Sequence, residues 1–293
     1  MSRWIAVDWG TTRLRATRMD GATAGETRES PDGMSGLTQD MFEPSLLRLV
    51  DDWLDGPTRI LVCGMAGSRQ GWVEAPYVAV PCPPLASAMA RPETRDPRLD
   101  VQIVPGLKQT KPHPDVMRGE ETQIAGILAR LPDFDGVACL PGTHTKWAHL
   151  SAGEVVSFRT AMTGELFATL CSQTVLRHSL TGDGWNEAPF LEAVSDALSR
   201  PEILTSRLFE LRAADLLQGQ DAATARSLLS GLLIGAELAA TKPWWLGRDV
   251  VVTGAPKTTL AYESALKSQG LSPRILPADE MTLAGLAAVL ETA

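Results

Sequence analysis

Two short segments of this 293-residue chain repeat one arrangement, and that repeat constrains the fold more than any other feature. Near the N-terminus, an apolar run from Trp4 to Trp9 carries Asp8 and gives way to Gly10-Thr11-Thr12, then to the alternating Leu14–Met19. Halfway along, the apolar Val137–Leu140 gives way to Pro141-Gly142-Thr143-His144-Thr145, and a second hairpin turns through Ser151-Ala152-Gly153 to Val155–Arg159. Each reads as strand, Gly-Thr turn, strand. A strand–Gly-Thr–strand hairpin is common, so the echo alone does not fix the fold. It does suggest two related half-molecules, each built around one such hairpin.

The intervening pattern is mixed α/β. Arg59–Cys63, Tyr77–Val80, Val101–Val104 and Asp249–Thr253 read as strands. Glu121–Leu131 has helical spacing in Ile124, Ile127, Leu128 and Leu131, and Pro132 ends it. Residues 164–242 are mostly helical. Thr258–Ser268 and Met281–Leu290 complete the helices, while residues 81–97 and 108–114 read as loop. A hydrophobic fraction of 44% is ample for a core in a chain of this length.

Composition removes several classes. A net charge of -8 argues against a dedicated nucleic-acid binder. No apolar run approaches the ~20 residues of a membrane span, and Met1-Ser2-Arg3-Trp4 does not open like a signal peptide. The four cysteines, Cys63, Cys82, Cys139 and Cys171, form no CxxC pair. That spacing disfavours a zinc site and fits free thiols in a reducing cytoplasm. There is no Walker A sequence, no G-x-G-x-x-G after the first strand, no HExxH, and no G-x-S-x-G elbow.

Four segments could carry chemistry. Asp8 at a strand end, followed by Gly10, Thr11 and Thr12, is suited to holding magnesium while N–H and hydroxyl groups meet phosphate. The same residues also suit an ordinary hairpin turn. Gly142, Thr143 and His144 offer a second such loop, followed by Lys146, which would otherwise be a solvated strand residue. Met117-Arg118-Gly119-Glu120-Glu121-Thr122-Gln123 opens a helix, where acidic residues normally serve as caps. A carboxylate there could instead be a general base toward an alcohol, and Arg118 could pair with a substrate carboxylate. Finally, Val250–Lys257, with Gly254 at its turn, suits an adenosine or phosphate contact and equally suits any α/β crossover.

The order of these segments resembles the sugar-kinase/Hsp70/actin superfamily. Within it, Met117–Gln123, Pro141-Gly142-Thr143-His144, Met162-Thr163-Gly164-Glu165-Leu166, and Gly64-Met65-Ala66-Gly67-Ser68 with Gly71-Trp72 and Ala75-Pro76-Tyr77 resemble the 2-dehydro-3-deoxygalactonokinase family over nearly the full chain. The resemblance implies two ribonuclease-H-like domains with an interdomain ATP cleft, the actin-like ATPase fold. Residues 1–133 would form the domain with the sugar-acid site and residues 134–293 the domain with the ATP site. The last helix, 281–293, would fold back on the first domain.

The resemblance also implies the chemistry, an ATP-dependent phosphorylation of 2-dehydro-3-deoxy-D-galactonate at its 6-hydroxyl in galactonate catabolism. By the same resemblance Asp8 holds Mg²⁺, and Gly10, Thr11, Thr12, Gly142, Thr143 and His144 cradle the ATP phosphates. Gly254 lies near the adenosine. Glu120, standing where broader carbohydrate kinases have Asp, is the base, with Glu121 the neighbouring alternative. Arg118, Ser68, Arg69 and Arg15 are the candidate substrate contacts. Two other readings stay open: a kinase for another sugar acid such as 2-dehydro-3-deoxy-D-gluconate, and a non-catalytic nucleotide-binding protein of the actin/Hsp70 type. The expected partners are ATP and a small sugar acid, without nucleic acid or membrane. The helical stretch 164–242 could supply a homodimer contact that its pattern does not establish.

Overall fold

The computed structural model describes residues 3–85 and 89–292. Contacts gather Met1–Asp135, Leu150–Phe158 and Leu276–Ala293 into one unit, and Gly136–His149 and Arg159–Ile275 into another.

In the first unit the chain lays down β1 (Arg3–Trp9), β2 (Leu14–Asp20), β3 (Thr23–Ser30), helix α1 (Phe42–Val50) and β4 (Thr58–Gly64). Then come β5 (Tyr77–Ala79), β6 (Leu99–Ile103), β7 (Gly106–Gln109), β8 (Asp115–Met117) and α2 (Glu120–Arg130). The main sheet has the order β3-β2-β1-β4-β6. β1 pairs antiparallel with β2 and parallel with β4, and β4 runs parallel to β6. Alternation along β1 sends Ile5, Val7 and Trp9 to one face, where they meet Phe42, Leu46 and Val50 of α1 and Trp72. Trp4 and Ala6 face the other way, toward the C-terminal helix residues Leu286, Ala287 and Val289. A small sheet, β5-β7-β8, delivers the chain from Met117 into α2.

The second half adds β9 (Gly136–Leu140), β10 (Thr145–Ser151), β11 (Glu154–Ala161), α3 (Thr163–Gln173), α4 (Glu187–Ser199), α5 (Leu204–Gln218) and α6 (Ala222–Ala240). It continues with α7 (Lys242–Trp245), β12 (Val250–Gly254), α8 (Pro256–Ser268), β13 (Arg274–Pro277) and α9 (Ala278–Thr292). Its sheet has the order β11-β10-β9-β12-β13, with β12 parallel to β9. The strand order of the first sheet is thereby repeated: hairpin, first strand, then the crossover strand.

Close helix crossings depend on missing side chains. In α6, a Cβ on Gly231 would fall inside the Phe190 carbonyl of α4, and one on Gly235 would stand 2.5 Å from the Val194 carbonyl oxygen. α2 and α9 cross in the same manner at Gly126 and Gly285, whose absent Cβ atoms make room for the backbones of Met281 and Thr122.

The strands and helices read from periodicity are present, and others are added. β3 is exposed along most of its length and mostly polar, an edge strand with no apolar alternation to betray it. α1, the pair β7–β8 and β13 are likewise additions, and β7 corrects the loop reading of residues 108–114 over Lys108–Gln109. The loop expected at 81–97 is anchored by isolated bridges from Cys82 to Val155 and from Ala90 to Ile103. Residues 86–88 of that segment, like Met1 and Ser2, lie outside the described residues. All four cysteines are free, with Cys63, Cys82 and Cys139 buried and Cys171 half-buried. No described helix is long and apolar enough to cross a membrane.

Candidate active site

Asp8 sits at the carboxyl end of β1, in register with Cys63 of β4 on one side and Arg15 of β2 on the other. Ligand-binding residues of α/β sheets gather at such strand ends. Burial raises the Asp8 carboxyl above its usual range, Arg15 opposes that shift, and Glu29 adds to it. Arg15 is itself held, its Nε donating to Glu29 Oε1 at 2.7 Å. These three residues, with Thr17, Thr27 and Thr282, border a cavity of about 270 Å³ in the first unit.

The loop after β1 is rigidly braced. The Gly10 N–H closes the turn on the Arg13 carbonyl at 2.9 Å. The Gly10 carbonyl accepts from the Met34 N–H at 3.1 Å, and the Thr11 carbonyl accepts from both the N–H (2.9 Å) and the hydroxyl (2.8 Å) of Ser35. Gly33 presses so closely on Thr12 and Arg13 that a Cβ there would fall inside their backbone. Thr11 and Thr12 remain exposed, and among the described residues their N–H groups donate to no protein acceptor. The donors this loop can offer an anion are therefore those of Thr11 and Thr12 rather than Gly10.

The second element of the site is the entry to α2. Gly119 has φ +107° and Gly64 has φ +86°, and a Cβ on Gly119 would stand 3.4 Å from Gly64 Cα. Both positions need a conformation that side chains disfavour. A Cβ on Gly64 would also lie 2.7 Å from the Trp9 carbonyl oxygen and 3.6 Å from Asp8 Oδ1, so this glycine pair sits beside Asp8. Glu120, half-buried, opens the helix, and its Oε2 accepts the Arg118 backbone N–H at 3.0 Å. Glu121 is fully buried, and its two oxygens accept the Gly119 N–H at 2.9 and 2.7 Å. Burial and the charge of Glu120 push Glu121 up to about 7, against the lowering effect of its backbone hydrogen bonds and of Arg118.

Arg118 is buried. Its Nη2 donates to the Ala75 carbonyl at 2.8 Å, and its guanidinium carbon lies 4.3 Å from the centre of the Tyr77 ring. Among the described residues its Nε and Nη1, and the buried hydroxyl of Ser68, have no hydrogen-bond partner. Gly67 accommodates this guanidinium, since a Cβ there would stand 2.8 Å from Nη1. Leaving such donors unpaired is costly, and a ligand oxygen would remove the cost. Arg69, by contrast, is exposed and faces Glu74 at 3.5 Å.

The second unit holds a cavity of about 520 Å³ between the β9–β10 loop and helices α3, α6 and α8. Gly142 and Thr143 line it together with Thr163, Phe167, Trp185 and Tyr262. The loop is fixed from α3: Gly164 lies so close that a Cβ would fall inside the Gly142 carbonyl, and the Glu165 N–H donates to the Thr143 carbonyl at 2.9 Å. His144 Nε2 pairs with Glu165 Oε2 at 2.6 Å. Lys146 is buried rather than solvated, and its Nζ donates to the His144 carbonyl at 3.2 Å. Gly254 packs with its Cα side against Pro141, where a Cβ would stand 2.7 Å from the carbonyl oxygen, and the cavity wall passes instead to Lys257 and Thr258.

Among the described residues no group of three or more His, Cys, Asp or Glu side chains is assembled to hold a metal ion. Asp8 alone, at a strand end, fits the manner in which magnesium is held, through one or two carboxylates with water and substrate phosphates completing the shell.

Sequence reasoning passed over a buried polar cluster behind the second cavity. Glu237 of α6 accepts from Trp147 Nε1 at 2.7 Å, from Tyr262 Oη at 2.7 Å and from the Thr163 hydroxyl. Its one signal was a carboxylate inside the apolar run Leu232–Leu238. The clamp of Gly33 and Ser35 on the first loop was also unseen, because a contact between residues about twenty positions apart leaves no local pattern.

Residues 8–289 match the protein family described as 2-keto-3-deoxy-galactonokinase. The chain is 42% identical to a Rhizobium meliloti (strain 1021) protein named a probable 2-dehydro-3-deoxygalactonokinase, over 97% of this chain and 95% of that one. It is 34% identical to the 2-dehydro-3-deoxygalactonokinase of Escherichia coli (strain K12), over 98% and 97%. The crystal structure of a Sinorhizobium meliloti protein described as a 2-dehydro-3-deoxygalactonokinase superimposes with a TM-score of 0.91 at 38% identity, covering 99% of this chain and 98% of that one.

Proposed function

The chain belongs to the 2-keto-3-deoxy-galactonokinase family, and from that premise we propose that it transfers the γ-phosphoryl group of ATP to the 6-hydroxyl of 2-dehydro-3-deoxy-D-galactonate. In this reading residues 1–133 carry the sugar-acid site and residues 134–293 the ATP site. The actin-like organisation, with ribonuclease-H-like halves and an ATP cleft, is part of the proposal, and the strand order repeated in the two sheets supports it.

Glu120 accepts the proton of the 6-hydroxyl as its oxygen attacks the γ-phosphorus. The new O–P bond forms while the bond to the β,γ-bridging oxygen breaks, and ADP leaves. Thr11, Thr12, Gly142, Thr143 and His144 position the phosphates, mainly through N–H and hydroxyl donors. Asp8 would hold Mg²⁺, which when bound supplies charge neutralisation for the phosphates. Arg118 and Ser68 take the acid-sugar's carboxylate and hydroxyls. Arg15 and Arg69, each facing a glutamate, serve as the outer cations of the same reading.

The observation that carries a sugar acid, rather than a neutral sugar, is the buried Arg118 guanidinium, whose Nε and Nη1 meet no acceptor among the described residues. A carboxylate is a ligand suited to such unpartnered guanidinium donors. Arg118→Lys keeps the charge and loses the guanidinium donors, so the KM for the sugar acid rises at least tenfold while the KM for ATP stays within twofold. Equal kinetics in the variant would remove Arg118 from the acid-binding role.

A further inference from the structure

We propose that Glu237 is a positioning residue of the nucleotide site, joining in one buried carboxylate the elements that form the walls of the second cavity; the proposal rests on the reading that ATP binds there. Glu237 is 5% exposed and lies on α6, one turn beyond the cavity-lining Leu233 and Ile234. Each of its three donors comes from a different element. Trp147 stands on β10, which begins directly after the Gly142–His144 loop, and gives its indole N–H to Oε1. Thr163 opens α3, the helix whose next two residues brace that loop, and gives its hydroxyl to Oε2. Tyr262 lies on α8 with its ring in the cavity wall, and gives its hydroxyl to Oε2 as well.

Tyr262 Oη donates to Glu237 Oε2, so Thr145 Oγ1, 2.9 Å from Tyr262 Oη, must donate to the tyrosine. Thr145 is the residue that follows His144, so the chain of donors runs from the end of the phosphate loop through the wall of the cavity to α6. Burial raises the Glu237 carboxyl, while Thr163, Trp147 and Tyr262 lower it by hydrogen bonding to its charged form. A fully satisfied buried network of this sort selects one arrangement of the elements that meet in it. Here those elements hold Gly142 and Thr143 on one side and Tyr262 on the other. The distance between the Gly142–Thr143 loop and the Tyr262 wall is thus set by a residue that does not itself line the cavity.

Glu237→Gln keeps the shape and exchanges an acceptor for a donor. One orientation of the amide sets an NH₂ against the Trp147 N–H, and the other forces both hydroxyls to reverse. We expect the KM for ATP, and the Kd for ADP measured by calorimetry, to rise at least tenfold. The KM for the sugar acid should stay within twofold and kcat should fall less than threefold. Tyr262→Phe removes one donor without leaving the carboxylate bare, and gives a smaller shift in the same two constants, at least threefold. A residue that only stabilises the fold would lower the melting temperature and leave both constants of the folded protein unchanged. That result in Glu237→Gln overturns the proposal. If Glu237→Gln does not fold, Tyr262→Phe and Thr163→Val decide it by the same criterion. Wild-type protein that binds no ADP would instead overturn the assignment of the cavity to nucleotide.

Discussion

Glu120 and Glu121 are neighbours in the chain and meet opposite surroundings. One is a half-buried carboxylate at the first position of α2 that accepts the Arg118 N–H, and the other is sealed beneath the Gly119 N–H. The difference gives them separate tests. Glu120→Gln should lower kcat at least a hundredfold at saturating substrates, with the fold intact; near-normal turnover would reject it as the base. Glu121 holds its proton more tightly when folded, up to about 7, than the ordinary 4.5 of an unfolded glutamate. Its contribution to stability is full below about 4.5 and disappears as pH rises to about 7. Glu121→Gln lacks this loss. Urea unfolding at pH 5 and pH 8 should therefore show the variant gaining on the wild type by on the order of 2 kcal/mol at the higher pH, from ~1.4 kcal/mol per unit. No change in the gap between the two proteins would show that Glu121 is ionised throughout. The sequence could place both glutamates at a helix start. It could not separate them, because burial depends on Gly64 and Gly119, which approach one another only in the folded chain.

At the scale of elements, the segments legible in the sequence are those with a period. β1, β2, β4, α2 and α8 carry their alternation or helical spacing openly, while β3 lacks an apolar face and α5 buries only Leu211. Helix crossings were not legible at all, since a glycine inside a helix looks like a weakness until its neighbour is known. Gly285 makes the point. A Cβ there would fall inside the Thr122 carbonyl, whereas at Gly36 it would meet nothing within 4 Å. Gly285→Ala should destabilise the protein by about 1–3 kcal/mol, the usual range for overpacking. Gly36→Ala should be nearly neutral in the same chemical unfolding series. Because α2 also presents Glu120, the first variant should lose turnover as well. Equal unfolding midpoints for the two variants would show that α2 and α9 can separate without loss.

On the scale of the whole molecule, the echo between Asp8–Thr12 and Leu140–Thr145 corresponds to a shared construction. Each loop follows the central strand of its sheet, and each sheet has the same strand order. The echo was weak as a motif because Gly-Thr turns are common; it gained meaning from what braces each turn. Ser35 and Gly33 hold the first loop, Gly164 and Glu165 the second. The net charge of -8 also takes on a narrower meaning. It sets solubility and long-range steering, whereas in the proposed reading anion recognition depends on Arg118 and a few N–H groups. The most direct measurement is ADP release from ATP and Mg²⁺ in the presence of 2-dehydro-3-deoxy-D-galactonate, 2-dehydro-3-deoxy-D-gluconate and a neutral hexose, assayed side by side. The account predicts ADP formation that depends on the sugar acid, is fastest with the galactonate derivative, and is absent with the neutral sugar. ADP formation that is independent of any acid sugar, or equal with the neutral hexose, would contradict it.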